Sequence, residues 1–262
     1  MNFFHAFKYL KYILLSGHKK GHGIHSPFIF SLISRVFRNK TDRTIVFNIE
    51  MIREKLISDR STIIVNDRGA GTEKNKTNKR KVSEIARYSP VPLKYGMLLS
   101  NLAAEFGSPG IIEFGTSFGI STMYMASACP DTIIYTMEGS PAVAEIALQN
   151  FKSAGFSNVK ILIGSFDDLL SRIAEAGIKP GLVFIDGNHR RDAILKYFKS
   201  MVEISDNNTV VVIDDIYYSK GMEEAWNEIK QNENVSVTVD IFRMGIVFFR
   251  RGINHNDYII RY

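Results

Sequence analysis

The chain has 262 residues, of which 45% are hydrophobic and 23% charged, and carries a formal net charge of +6. That length holds one large α/β domain and an accessory segment, and the composition is ordinary for a soluble globular protein. The single cysteine, Cys129, excludes an intramolecular disulfide framework and any cysteine-based zinc cluster, and reads as a structural thiol in a reducing compartment. No run reaches the ~18 apolar residues of a membrane span. Residues 1–20 are interrupted by Lys8 and Lys11 and lack a small-residue cleavage site, so a cytoplasmic location is expected.

The charge is uneven. Residues 1–90 hold 18 Lys+Arg against 7 Asp+Glu, whereas residues 91–262 hold 15 against 20. The basic third is therefore expected to be a solvated surface, or one that meets an anionic acceptor, a nucleic acid or an anionic membrane face.

In chain order, Phe3, Phe4, Phe7, Leu10, Ile13 and Leu14 recur at helical spacing. Gly17 and Gly21-His22-Gly23 break that pattern. Ser26-Pro27 reads as an N-cap followed by Pro at the first helical position, with a helix to about Phe37. A second helix is expected over about Ile45 to Ser58. Residues 66–82 are polar, glycine-containing and basic, and read as a mobile loop, either a linker or a lid. Residues 1–90 thus form a helical, basic extension that caps residues 91–262. His22, His25 and the Lys74–Lys81 stretch are candidates to touch an anionic acceptor.

From Pro92 onward the pattern changes. A helix over about Lys94 to Phe106 leads into strands at Ile111–Phe114, Thr132–Met137, Val159–Ile163, Leu182–Ile185 and Thr209–Ile213. Helical stretches lie between them, near Ser121–Ala128, Pro141–Ala154, Phe166–Ala176, Arg190–Glu203 and Gly221–Gln231. This alternation predicts a parallel sheet, doubly wound by helices, whose strands are short apolar runs covered on both faces. Val235–Ile241 and Gly245–Arg250 are separated by too few residues for a crossover, so they form a terminal antiparallel hairpin. The expected total is seven strands.

The first of these strands runs into a glycine-rich turn, Glu113-Phe114-Gly115-Thr116-Ser117-Phe118-Gly119, followed by Ser121 in the first turn of a helix. Gly115 lets the chain leave the strand sharply. Gly119 clears the helix start, where free N–H groups can receive an anion. The place is the crevice beyond the carboxyl ends of the strands, where open α/β sheets bind ligands. Only two glycines occur, four apart and preceded by an acid, which departs from the three-glycine nicotinamide fingerprint. Glu113 suits a ligand with an ammonium group. Glu138, ending the next strand, can accept hydrogen bonds from both hydroxyls of a ribose. Ser165, in the third loop, lies where polar groups would edge an adenine.

These motifs resemble those of class I S-adenosylmethionine-dependent methyltransferases, closest to the small-molecule O-methyltransferases of the catechol and macrolide-sugar type. The resemblance covers about Lys94 to Gly252 and includes the terminal hairpin. It implies a Rossmann-like methyltransferase fold. Glu113, Gly115, Thr116, Ser117, Gly119 and Ser121 would hold the methionine moiety, Glu138 the ribose, and Ser165 the adenine side.

Two further strand ends carry acids, Asp186 after the fourth strand and Asp214-Asp215 after the fifth. Around one mouth, these three carboxylates suit Mg²⁺ or Ca²⁺, which would polarise an acceptor hydroxyl. Asp186 could instead contact the cofactor alone, and Asp214 or Asp215 could cap the following turn. His189, three residues past Asp186, suits proton removal from the attacking hydroxyl. A metal-dependent subgroup of the resembled family carries Asp-Gly-x-His-x-Tyr; here Arg191 stands in place of the aromatic residue.

The expected function is S-adenosylmethionine-dependent O-methylation of a small-molecule or saccharide hydroxyl, with Asp186 and His189 as catalytic residues. An RNA methyltransferase is the alternative enzyme, disfavoured by the acidic mouth. A non-catalytic, membrane-peripheral module using the Phe-rich, Lys-bearing N-terminus is the alternative outside enzymes. A dimer is compatible with the sequence.

Overall fold

Ser26 starts a helix in the manner its sequence requires. Its hydroxyl accepts from the Ile29 N–H, Pro27 sits at the first helical position, and α2 (Pro27–Leu32) continues through a π-helical stretch, Ile33–Phe37. In this computed structural model, residues 3–16, 26–65 and 78–262 are described. Gly17, Gly21, His22, Gly23 and His25 lie outside them, as do residues 66–77 of the expected mobile loop. The C-terminal part of that loop is not a loop. Residues Asn78–Lys81 form a strand, β2, paired antiparallel with β1 (Thr62–Val65) in the register Thr62↔Lys81. The β-branched run Thr62-Ile63-Ile64-Val65 carries a strand signal, while the lysine-rich β2 owes its pairing to β1.

The chain divides into two compact units. The unit of residues 40–178 holds α3 (Arg43–Ser58), α4 (Val82–Tyr88), α5 (Leu93–Phe106), β3 (Gly110–Phe114), α6 (Ile120–Ala128), β4 (Ile133–Glu138), α7 (Pro141–Ser153), β5 (Val159–Ile163) and α8 (Phe166–Glu175). Its three strands are parallel, in the order β3-β4-β5. Register Phe114↔Met137 and Glu138↔Ile163 brings the three carboxyl ends level. Its core joins the N-terminal helices to the site-bearing ones: Ile49 and Val82 pack in one buried cluster with Phe118, Met123, Tyr124 and Phe151. The Tyr124 hydroxyl donates to Glu50 at 2.9 Å, and Arg53 donates to the Val91 carbonyl at 2.7 Å.

The unit of residues 1–39 and 179–262 holds α1 (Phe3–Leu15), α2, β6 (Leu182–Ile185), α9 (Arg191–Ile204), β7 (Val210–Ile213), α10 (Lys220–Lys230), β8 (Val237–Asp240), β9 (Gly245–Phe248) and β10 (Asn256–Ile259). The order is β6-β7-β9-β8-β10. β6 and β7 are parallel, and β8–β9 form the expected antiparallel hairpin, with β9 against β7. An eighth sheet strand, β10, was not foreseen; it lies parallel to β8. Its sequence, Asn-Asp-Tyr-Ile, carries no apolar run because the strand sits at an edge and is largely exposed. α1 is tied to this C-terminal region: the Tyr12 hydroxyl donates to the Ile260 carbonyl at 2.7 Å, and Lys8 pairs with Glu223.

Mostly parallel strands alternating with helices and closed by an antiparallel hairpin make the Rossmann-like methyltransferase fold. No helix among the described residues is long and apolar enough to cross a membrane.

Candidate active site

Among the described residues, four non-glycine residues have positive φ, and each follows a strand's carboxyl end: Ser117 (47°) after β3, Asn188 (53°) after β6, Asp215 (52°) after β7 and Phe242 (71°) after β8. Such backbone strain persists where the surrounding structure over-determines it, and it gathers at functional sites.

In the unit of residues 40–178, β3 ends in a turn built on Gly115 (φ 97°) and Gly119 (φ 82°). A Cβ on Gly119 would lie 2.3 Å from the Phe151 ring, so both conformation and space demand glycine there. The Gly115 and Thr116 N–H groups both donate to the Met137 carbonyl at 3.0 Å. Glu138, ending β4, accepts from the Ser117 N–H and the Ser140 N–H, each at 2.9 Å. Two backbone donors thus fix its carboxylate beside the turn.

Glu113 and Ser121 do something other than expected. Glu113 is fully buried and accepts from the hydroxyls of Ser121 (2.6 Å), Thr122 (2.5 Å) and Thr136 (2.7 Å). Thr116, also buried, bonds the Thr136 hydroxyl at 2.6 Å. These side chains bind one another and brace the turn from inside instead of facing a ligand. Burial pushes the Glu113 carboxyl up to about 7, against the three hydroxyls that pull it down. Ser165 is likewise engaged: it caps α8, accepting from the Asp168 N–H at 3.2 Å and donating to Asp168 Oδ2 at 2.6 Å. Gly164, just before it, donates its N–H to the Glu138 carbonyl at 3.0 Å.

In the other unit, His189 Nε2 lies 3.6 Å from Asp186 Oδ1, and its ring centroid is 5.5 Å from that of Tyr218. His189 Nδ1 and Asn188 Oδ1 are enclosed without hydrogen-bond partners. Burial holds the imidazole below its ordinary value, opposed by Asp215 and aided by Arg243. Arg191, standing where the metal-dependent subgroup carries an aromatic residue, reaches Glu228 on α10 at 2.6 Å.

Asp214 is fully buried, and a residue that sequence reading missed accounts for it. Arg243 Nε donates to Asp214 Oδ1 at 2.9 Å, and Nη2 donates to Oδ2 at 2.7 Å. Nη2 also lies 3.8 Å from Asp215 Oδ1. The topology delivers this pair. β8 and β7 run the same way because both are antiparallel to β9, so the β8–β9 turn sits at the carboxyl end of β7. Register Ile213↔Gly245 then sets Asp214 beside the turn residues. The turn is fastened by Asp240, which accepts from the Phe242 N–H at 2.8 Å and from the Tyr217 hydroxyl at 2.5 Å. Burial and then Asp215 push Asp214 up, to about 6, and Arg243 draws it down, so the pair is ionised at neutral pH. Asp214, Asp215 and Asp186 in turn hold the guanidinium charged, against the burial that opposes it.

This arrangement corrects the expected metal centre. No group of three or more His, Cys, Asp or Glu side chains among the described residues is arranged to hold a metal ion. The Asp214 carboxylate that should donate to Mg²⁺ or Ca²⁺ is bound on both oxygens by Arg243. Asp186, Asp214 and Asp215 therefore do not fit a divalent cation.

Residues 112–216 match the model of a methyltransferase domain family. The chain is 33% identical over 124 residues to a catechol O-methyltransferase of Niastella koreensis, covering 46% of this chain and 55% of that protein. It is 30% identical over 145 residues to the O-methyltransferase imqG of Aspergillus flavus, covering 53% and 56%. The chain thus spans about half the length of these relatives. The O-methyltransferase TomG of Streptomyces achromogenes, solved in complex with SAM, shares the fold with a TM-score of 0.56 and 20% identity, over 85% of this chain and 95% of that one.

Proposed function

We propose that the protein is an S-adenosylmethionine-dependent O-methyltransferase acting on a hydroxyl of a small-molecule or saccharide acceptor. The observation that carries this reading is the braced turn from Glu113 to Ser121, with the Glu138 carboxylate fixed beside it by two backbone N–H groups. Its donor set suits the cofactor. Gly115 and Gly119 allow close approach of a ligand to the backbone, Ser117 borders it, and Glu138 presents an oriented carboxylate for ribose hydroxyls. Glu113 and Ser121 act through the turn, as positioning residues.

When bound, S-adenosylmethionine supplies an electrophilic methyl group. His189 is the base for the acceptor. Its Nδ1 is enclosed, so Nε2 is the nitrogen that takes the hydroxyl proton. Asp186 lies 3.6 Å from Nε2, so once Nε2 takes the proton the ring gains the attraction of that carboxylate. Arg191 and Glu228 occupy the place of the metal-dependent subgroup's aromatic contact, so the acceptor is held by other means.

Calorimetry with S-adenosylhomocysteine tests the cofactor: saturable binding is expected, and none at high micromolar ligand would overturn the proposal. His189→Gln is expected to lower methyl transfer by about 10²–10⁴-fold with S-adenosylhomocysteine binding unchanged. Full activity in that variant would remove His189 from the mechanism.

A further inference from the structure

We infer that Arg243 is the resident cation of the Asp186–Asp214–Asp215 cluster, and that the cluster neither binds nor needs a divalent metal. The inference concerns one chain segment, the β8–β9 turn, that nothing in the acidic motifs themselves points to. Three observations carry it. The guanidinium meets Asp214 through two hydrogen bonds of 2.9 and 2.7 Å, the fork geometry that makes Arg a specific partner for a carboxylate. It reaches toward Asp215, at 3.8 Å, so one charge serves two acids. The turn that carries it is itself over-determined. Phe242, at φ 71°, donates its N–H to Asp240 and packs against four rings: Tyr217 stacked at 5.5 Å, Tyr9 at 4.9 Å, His5 at 5.0 Å and Tyr12 at 5.3 Å. A side chain that merely covered the cluster would not need such a mount.

A divalent cation and a guanidinium cannot share these oxygens. A hard cation takes carboxylate oxygens at ~2.0–2.6 Å, and an Arg nitrogen already stands at both Asp214 oxygens. Displacing it would leave a partly buried guanidinium without its carboxylate, beside a new double charge of the same sign. A covalently attached cation is always present, so the site would not depend on metal supply.

The inference bears on the proposed enzyme's acceptor side, but its test reads cation binding and not methyl transfer. Loss of the cofactor claim and loss of this one are therefore separate results. Mn²⁺ is titrated into wild type and Arg243→Met, followed by electron paramagnetic resonance of free Mn²⁺, with thermal unfolding in Mg²⁺ or Ca²⁺ alongside. Wild type is expected to show no saturable binding at this cluster in the millimolar range and no Tm shift. Arg243→Met takes the cation away from Asp214 and Asp215 and is expected to bind Mn²⁺ on the order of a hundredfold more tightly, as removal of a like charge at ~4 Å predicts. Its Tm should rise when a divalent cation is added. Arg243→Lys, which keeps the charge, should behave as wild type. A merely structural Arg would lower Tm without creating a cation site. If Arg243→Met does not fold, the wild-type titration decides. Saturable wild-type binding that Asp214→Asn or Asp186→Asn abolishes would overturn the inference. Binding that neither substitution moves lies outside the cluster and leaves the inference standing. No gain in folded Arg243→Met would overturn it.

Discussion

Each of the two units buries one carboxylate beside its strand ends, Glu113 in one and Asp214 in the other, and the protein neutralises their burial in opposite ways. Glu113 is surrounded by hydroxyls from Ser121, Thr122 and Thr136, neutral donors that leave its charge to depend on pH. Asp214 is met by a guanidinium, a permanent charge. Hydroxyl bonds to a buried acid recover part of its lost hydration, whereas a bidentate ion pair cancels the charge itself but makes each partner hostage to the other. The first solution is local and divided among several residues. The second rests on one side chain.

The comparison is broken hardest at Arg243. Arg243→Met should cost about 3–5 kcal/mol in chemical denaturation, because it strands the fully buried Asp214 carboxylate without its guanidinium. Adding Asp214→Asn should recover most of that loss, since the cost lies in the unpaired charge. By contrast Ser121→Ala removes one of three donors to Glu113 and should cost only about 1–2 kcal/mol. Equal losses in the two variants would refute the distinction between shared and single support.

On the cofactor side, Gly119→Ala should be nearly as severe, about 3 kcal/mol, combining left-handed strain at φ 82° with a methyl group 2.3 Å from the Phe151 ring. Phe151 is buried in the cluster with Phe118 and Tyr124 and cannot swing away cheaply. Gly155→Ala separates the two causes. Gly155 has φ 77° but nothing within 4 Å of the added carbon, so its cost should be about 1–2 kcal/mol, from strain alone. Affinity for S-adenosylhomocysteine should fall in the first variant and not in the second.

Glu113 carries a pH signature, in the same direction as that of Asp214 and set to a higher value. Its value rises from 4.5 to about 7 on folding because burial disfavours the charge. The folded state therefore holds the proton more tightly than the unfolded chain. Stability from this group is full below pH 4.5 and is lost as pH rises through about 7, by a total of about 3 kcal/mol. Glu113→Gln, neutral throughout, should flatten the stability profile across that window. Urea unfolding of both proteins from about pH 5 to about pH 8 would measure it; a slope that survives in Glu113→Gln would assign the titration to another group.

The same contrast explains what the sequence made legible. Glu113, Ser121, Thr122 and Thr136 fall on three consecutive elements, β3, α6 and β4, and Gly115 and Gly119 after an apolar strand announce the turn. Strands β3 to β9 stand out as short apolar runs. Arg243 lies 29 residues from Asp214, in a turn of no special composition, and only the β7–β9 register brings them together. Acids at strand ends therefore read as a metal site, because the cation that satisfies them is invisible until the hairpin is folded. β10 and β2 escaped for a related reason: edge strands have little apolar pattern, and their partners define them.

Ser165 gives the smallest effect and the finest discrimination. Its hydroxyl accepts from the Asp168 N–H and donates to the Asp168 carboxylate, both demands of a helix start. Ser165→Ala should then lower stability by about 1 kcal/mol, as loss of an N-cap does, with S-adenosylhomocysteine affinity unchanged. Weaker binding at unchanged stability would return the hydroxyl to the adenine side and show that the cap opens when ligand arrives. Ser165→Asp sharpens the choice: an acid at the N-cap can still accept from the backbone, so stability should hold, whereas an adenine edge would meet a new charge and affinity would drop.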